Sequence, residues 1–249
     1  MNFGARLEAV AALVPPCHTL VDVGTDHAYL PVLLLQQGKI EQAIAGDVVP
    51  GPCEAARHTV RTFHLEDRIT VRQGSGLTVA APGEAEAAVM AGMGAETMLQ
   101  ILGESPEVWQ HPRFRHLILQ PMSDAARLRH WAEKNGWAVV REELAREGKR
   151  LYELLHLEPS PGWRYPSACY EIGFDLVERH HPLLQEFLAE RKKKVQLLLE
   201  QMSRSERARA SRQYGEYRTL WKQLEAIERG NGSNGNQRND GNGYLSVHE

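Results

Sequence analysis

The 249 residues are 42% hydrophobic and 24% charged with a formal net charge of −3, a globular balance that excludes a highly charged disordered chain. No apolar run approaches the roughly 20 residues that span a bilayer, and the N-terminus lacks the apolar core and cleavage site of a signal peptide. Cys17, Cys53 and Cys169 form neither a CxxC pair nor a zinc pattern. These features lead us to expect a cytoplasmic monomer with reduced thiols, no metal and no membrane association.

Leu7, Val10 and Leu13 share one face of a first helix over Ala5 to Leu13, which stops at Pro15-Pro16. The β-branched run His18 to Val23, closed by Gly24, predicts a buried strand. Tyr29 to Gln37 reads as a buried helix, with Pro31 tolerable in its first turn. A second strand over Lys39 to Asp47 ends in an acid. A helix over Pro52 to Phe63 leads to a third strand, Ile69 to Arg72. Ala87 to Gly92 is the fourth strand, followed by a helix over Glu96 to Gly103, and His116 to Gln120 is the fifth, halted by Pro121. After a helix over Ala125 to Asn135, Trp137–Glu143 and Arg150–Leu157 form a hairpin around Glu147-Gly148-Lys149. This alternation predicts an α/β doubly wound, Rossmann-like sheet, mostly parallel with an antiparallel edge, in the layout of the class I methyltransferase fold.

The Pro/Gly-rich run 158–162 suggests a boundary, giving a cofactor-binding domain over 1–160. Leu184, Leu188, Arg191, Val195, Leu198 and Met202 step by four and three, and Tyr214, Tyr217, Trp221 and Leu224 do much the same. Two helices with narrow seams, broken over Ser203 to Ser211, predict a coiled-coil hairpin over 161–229. The Gly/Asn/Ser-rich residues 230–249 are expected to be disordered. Charge follows this division. Residues 1–159 carry 15 Lys/Arg against 20 Asp/Glu, and residues 160–229 carry 13 against 10. The cluster Arg191-Lys192-Lys193-Lys194 suits phosphates, although a solvated helix face has the same composition.

In an open α/β sheet, ligands bind beyond the carboxyl ends of the strands. Asp22-Val23-Gly24-Thr25-Asp26-His27 follows the first strand; glycine there admits a ligand to the backbone, and an acid can accept from an ammonium group. Asp47 ends the second strand, placed to hold ribose hydroxyls. Gly74-Ser75-Gly76 forms a loop against which an adenine can lie. A dinucleotide fingerprint is absent, because Asp26 and Tyr29 stand where its later glycines belong. An acid there repels a pyrophosphate but faces a sulfonium and an ammonium favourably, so S-adenosyl-L-methionine is the expected cofactor.

The chain resembles the bacterial tRNA (adenine(22)-N(1))-methyltransferases of the TrmK family. The resemblance rests on Asp22 to Pro31, Gly51-Pro52, Arg72 to Leu77, Ala91-Gly92-Met93-Gly94, Leu119-Gln120-Pro121, Leu128 to Trp131, Leu151-Tyr152-Glu153 and Tyr170 to Gly173, covering about residues 5–200. It implies a Rossmann-like catalytic domain, a small coiled-coil domain, S-adenosyl-L-methionine as donor and tRNA as acceptor. Two positions depart from the family pattern: Ser75 stands where an Asp is usual, and Ala95 where a glycine is.

The fourth-strand loop, Ala91-Gly92-Met93, is small and apolar, leaving room for a purine. Asp26, His27 and Tyr29 are the candidate catalytic residues on the opposite wall: an acid to balance charge, an imidazole to handle a proton and a ring to stack. Helix capping by Asp26 or His27, and a core position for Tyr29, are the competing structural readings. Gln120 is placed to reach the target base edge. Arg127, Arg129 and the Arg191 to Lys194 cluster are expected to contact RNA phosphates. The residues alone leave open a small-molecule methyltransferase or a non-catalytic cofactor-binding adaptor, and a dimerisation role for the hairpin.

Overall fold

The structure, a computed structural model, describes residues 3–167 and 169–233. The described chain runs α1 (Ala5–Leu13), β1 (Cys17–Val23), α2 (Tyr29–Gln36), β2 (Ile40–Asp47), α3 (Pro50–Thr62), β3 (Ile69–Gln73), β4 (Ala87–Met93), α4 (Ala95–Glu104), α5 (Pro106–Trp109), β5 (His116–Pro121), α6 (Ala125–Lys134), β6 (Trp137–Glu147), β7 (Arg150–Pro159), α7 (Phe174–Glu178), α8 (Leu184–Ser203), α9 (Glu206–Arg209) and α10 (Arg212–Ser233). A single 3₁₀ turn, Gly76–Val79, follows β3. None of the described helices is long and apolar enough to cross a membrane.

Seven strands form one sheet in the order β3-β2-β1-β4-β5-β7-β6. The first five are parallel, and β7 pairs antiparallel with both β5 and β6. Side chains alternate strictly between two cores, as the two-residue strand period requires. Val21, Ala88, Met90, Leu117, Leu119, Leu155 and Leu157 face one core with α4, α5 and α6. Leu20, Val89, Ile118 and Leu154 face the other, with α1, α2 and α3. Burial on both faces is why these strands read as continuous apolar runs. The alternating strands and helices agree with the expected doubly wound sheet, its antiparallel hairpin forming one edge.

Two compact units divide between His181 and Pro182, later than the Pro/Gly run at 158–162. Buried charge explains the difference. Arg129 on α6, with its side chain 1% exposed, donates from Nε to Glu142 of β6 at 2.6 Å and from Nη2 to Glu153 of β7 at 2.8 Å. Its Nη1 donates to the Tyr170 carbonyl at 2.9 Å. Glu142 also accepts from the Asp175 N–H at 3.0 Å, while its own N–H donates to the Asp175 carboxylate at 2.9 Å. Residues 170–175 are thereby tied into the sheet domain, so the boundary falls after them. Arg129 is not an RNA contact: burial disfavours its charge, but the two carboxylates outweigh that and hold the guanidinium ionised.

In the second unit, α8 and α10 pack together, with α9 between them in sequence. Lys192 donates to Glu228 at 2.6 Å and lies 5.2 Å from the Trp221 ring centroid. The expected helical pairing is present. α10 extends through Ser233 rather than ending at 229, and the rest of the expected disordered tail lies outside the described residues.

Arg129→Ala leaves two buried carboxylates without their cation, so it is expected to cost about 3–5 kcal/mol. Urea unfolding of the variant against the parent checks this.

Candidate active site

Strands β1, β2 and β4 run parallel as neighbours, so their carboxyl ends open on one side of the sheet. After β1 the chain turns at Gly24, whose φ of 72° is left-handed and favours glycine. The N–H groups of Gly24 and Thr25 both donate to the Gly46 carbonyl, at 2.9 and 3.0 Å, pinning this turn to β2. A Cβ on Gly24 would sit 3.1 Å from Met93 Cε, so the turn also lies close to the fourth-strand loop.

Asp26 and Ala28 also adopt left-handed φ angles, 53° and 55°, uncommon for residues with a Cβ. Ala28 occupies the N-cap position of α2, and no side chain caps that helix. Asp26 and His27 are therefore not caps; their side chains are 71% and 47% exposed, with His27 Nε2 3.6 Å from Asp26 Oδ1. The His27 ring stacks on Tyr29, with centroids 5.3 Å apart and planes at 14°. Tyr29 is 38% exposed, which rules out a core role.

Behind this rim, Asp22 is buried, and Thr25 Oγ1 donates to its carboxylate at 2.6 Å. Among the described residues it forms no ion pair. Burial pushes its pKa up, the Thr25 hydrogen bond opposes that, and the Asp47 charge adds to the rise, leaving it at about 6. Asp47 is held by its surroundings: its carboxylate accepts from the Val49 N–H at 3.0 Å and from the Asp26 N–H at 3.4 Å, and its carbonyl accepts from the Gly74 N–H at 2.9 Å. A carboxylate has about four acceptor positions, so Asp47 keeps capacity for further donors. Gly74, Ser75 and Gly76 follow directly, with Ser75 exposed. Gly76 is left-handed at φ 53°, and a Cβ there would lie 2.6 Å from Ile101.

The fourth-strand loop is shaped by a bulge against β5 between Ala91 and Met93, with Gly92 at φ 80°. Gln120 braces it. Its Oε1 accepts from the Gly92 N–H at 3.1 Å and from Arg6 Nη1 at 2.7 Å, and its Nε2 donates to the Pro121 carbonyl at 3.0 Å. Gln120 is fully buried. The expectation that it reaches a substrate base is corrected: its amide is committed to holding the loop.

These elements enclose a cavity of about 410 Å³, within the range of small-ligand sites. Asp22, Gly24, Asp26, His27, Tyr29, Ala91 and Gly92 line it. Asp47, Gly74, Ser75, Gly76 and Met93 are not among its walls; Asp47 meets the wall at the Asp26 N–H, Gly74 meets Asp47, and Met93 approaches Gly24, while Ser75 and Gly76 only follow Gly74 in the chain. Phe3, Arg6 and Glu147 are lining residues that sequence reasoning missed. Arg6 reaches Gln120 and lies 3.9 Å from Glu147 and 5.7 Å from the Tyr152 ring centroid. Its one signal was the lone arginine on a first helix whose only other charged residue is Glu8.

The other basic residues expected to contact RNA are not among the cavity's walls. Arg127 is half exposed and pairs with Glu96. Lys193 and Lys194 are exposed, while the Arg191 guanidinium lies 5.0 Å from the Phe187 ring centroid.

A methyltransferase-domain family model matches residues 3–155. The tRNA (adenine(22)-N(1))-methyltransferase of Bacillus subtilis (strain 168) is 36% identical over 158 residues, 64% of this chain and 66% of that protein. The match thus spans just under two thirds of that relative's length. Streptococcus pneumoniae Sp1610 aligns at 30% identity and a TM-score of 0.79, over 92% of this chain and 99% of its own; it has also been solved in complex with S-adenosyl-L-methionine. The B. subtilis M1A22 tRNA methyltransferase TrmK aligns at 29% identity and a TM-score of 0.77, over 92% and 98%. The chain belongs to the TrmK methyltransferase family. Both units of this TrmK-family protein fall within those structural alignments, so the family likeness extends past the sheet.

Asp22 titrates higher in the folded protein than its ordinary 3.8, at about 6. The folded state therefore favours the protonated carboxyl; that contribution is full below the ordinary value and is lost as pH rises through the folded one. Asp22→Asn is expected to raise the Tm at pH 7.5 and to flatten stability across this window, read by thermal unfolding in a pH series.

Proposed function

We propose that this chain transfers a methyl group from S-adenosyl-L-methionine to N1 of the adenosine at position 22 of tRNA, in the cytoplasm. The observation that carries this reading is Asp22, buried and without an ion-pair partner among the described residues, at the back of a glycine-walled cavity whose rim includes an acid, an imidazole and a phenol. Bound S-adenosyl-L-methionine supplies an electrophilic methyl group on a sulfonium, together with an ammonium that a buried carboxylate can receive. The site fits it. Asp22 offers the negative charge, Gly24 and Gly92 admit close backbone approach, and Asp47 has acceptor capacity left for ribose hydroxyls. Gly74, Ser75 and Gly76 form the surface for the cofactor's adenine, where neutral Ser75 makes a weaker partner than a carboxylate.

The target N1 lies on the Watson–Crick edge, so the nucleotide must leave its stack to react. Tyr29 and His27, already parallel and partly exposed, offer it a stacking surface. The N1 lone pair is available without prior deprotonation, so positioning supplies most of the rate. Alkylation leaves the base cationic; Asp26 favours that charge, and His27 takes up the proton that the exocyclic amino group then gives off. Ala91, Gly92 and Met93 hold the opposite wall, braced by Gln120. Arg127 in the first unit, and Arg191, Lys192, Lys193 and Lys194 on α8 in the second, serve the RNA backbone.

Nucleoside mass spectrometry of tRNA incubated with the protein and the methyl donor should show 1-methyladenosine, absent when adenosine 22 is replaced. A product that persists after that replacement sinks the site assignment. In single-turnover assays at saturating donor, Asp26→Ala and His27→Ala are each expected to slow methylation about 100-fold or more; unchanged rates would remove both from the chemistry. Donor affinity should fall as pH drops through about 6 and Asp22 takes up a proton. In calorimetry, Asp22→Asn should abolish that dependence and weaken binding roughly 10–100-fold, the worth of a charge-assisted hydrogen bond. Lys193→Glu combined with Lys194→Glu should weaken tRNA binding and make its salt dependence shallower by roughly one to two in slope.

A further inference from the structure

Three ligand-type side chains meet at the other end of the sheet, away from the cofactor loops. His116 is the first residue of β5, and His156 and Glu158 lie near the end of β7. The antiparallel register sets Leu117 across from Leu157 and Ile118 across from His156; extended by one residue, it sets His116 across from Glu158. The two-residue period then places His116, His156 and Glu158 on one face of the sheet, the face that carries Ile118 and Leu154.

Their ligand atoms form a nearly equilateral triangle. His116 Nδ1 lies 3.2 Å from His156 Nε2 and 3.3 Å from Glu158 Oε1, and His156 Nε2 lies 3.5 Å from the same oxygen. Nitrogen and oxygen ligands at about 2.0–2.1 Å from a tetrahedral ion are about 3.3–3.4 Å apart. The three atoms therefore already stand at the edge length of a coordination tetrahedron. His156 is only 10% exposed and Glu158 42%, so the triangle is dry on one side and open to water on the other. Two imidazoles and a carboxylate suit a borderline divalent ion such as zinc rather than magnesium or calcium.

We propose that His116, His156 and Glu158 form a divalent transition-metal site of the zinc class that clips β5 to β7, with water in the fourth position. It lies at the amino end of β5, away from the cavity that Asp22 lines, and it fastens the antiparallel hairpin to the parallel part of the sheet. The ion holds the folded chain and not the unfolded one, so it raises the Tm with concentration.

The test uses the full, untagged chain freed of metal by chelation. Titration with Zn(II) by calorimetry is expected to show one equivalent bound, and Co(II) in its place to give the visible absorption of a tetrahedral site. His156→Asn and Glu158→Gln should each weaken zinc binding at least tenfold and abolish the zinc-dependent rise in Tm. Glu158→Gln changes a half-exposed group and keeps the test valid if His156→Asn does not fold. No saturable binding below 1 mM, or one-equivalent binding unaltered in the Glu158 variant, overturns the proposal.

Discussion

A carboxylate held out of water, with no ion-pair partner among the described residues, is the constraint around which the cavity at the end of β1 is arranged. Asp22 has Thr25 as its hydrogen-bond partner and a second acid, Asp47, as its electrostatic neighbour. Burying a charge without an ion-pair partner is unfavourable, and burial here raises the carboxyl pKa. The same arrangement favours any ligand that brings its own positive charge to the end of β1. Strain in the following turn has the same orientation. Asp26 and Ala28 hold left-handed backbone angles that let the chain reverse before α2, so the side chains of Asp26 and His27 stay at the rim rather than closing over the helix end.

The opposite wall depends on a different device. Gly92 lies in a bulge whose N–H has left the β5 ladder, and the buried amide of Gln120 receives it. The same oxygen accepts from Arg6, so the first helix is fastened to the loop that faces the cavity. A side chain at the end of β5 thus serves the site from behind, without entering it. A polar group buried this completely must find partners inside the protein, and here the partners are the elements that need positioning.

Arg129 does for the sheet edge what Gln120 does for the pocket. Its guanidinium joins β6, β7 and the segment that follows them into one buried ionic cluster, which carries the compact unit on to His181. Proline and glycine at 158–162 do mark a turn in the chain, but the turn lies within the unit. Composition reports where a chain can bend; buried contacts decide where a domain ends.

The sequence by itself determined the order of the strands and the longer helices, the doubly wound class and the residues at the strand ends, but not the short helices α5, α7 and α9. Each of those follows from local chemistry: β-branched runs buried on both faces, glycine where a turn needs a left-handed angle, acids that stop a strand. Asp22, Gly24, Asp26, His27, Tyr29 and Gly92 were legible for that reason, since strand ends converge in any parallel sheet. Tertiary structure alone decided the rest. Arg6 reaches the cavity from 114 residues away from its partner Gln120, and no spacing rule connects them. Arg127 and Arg129 sit two residues apart on one helix, yet one is half exposed beside Glu96 and the other is sealed between Glu142 and Glu153. Likewise, His116 and His156, 40 positions apart, carry no metal-binding spacing, and only the antiparallel register of β5 and β7 brings them together. Which way a charged side chain faces is set by what packs against its helix or strand, and that is information a one-dimensional pattern does not hold.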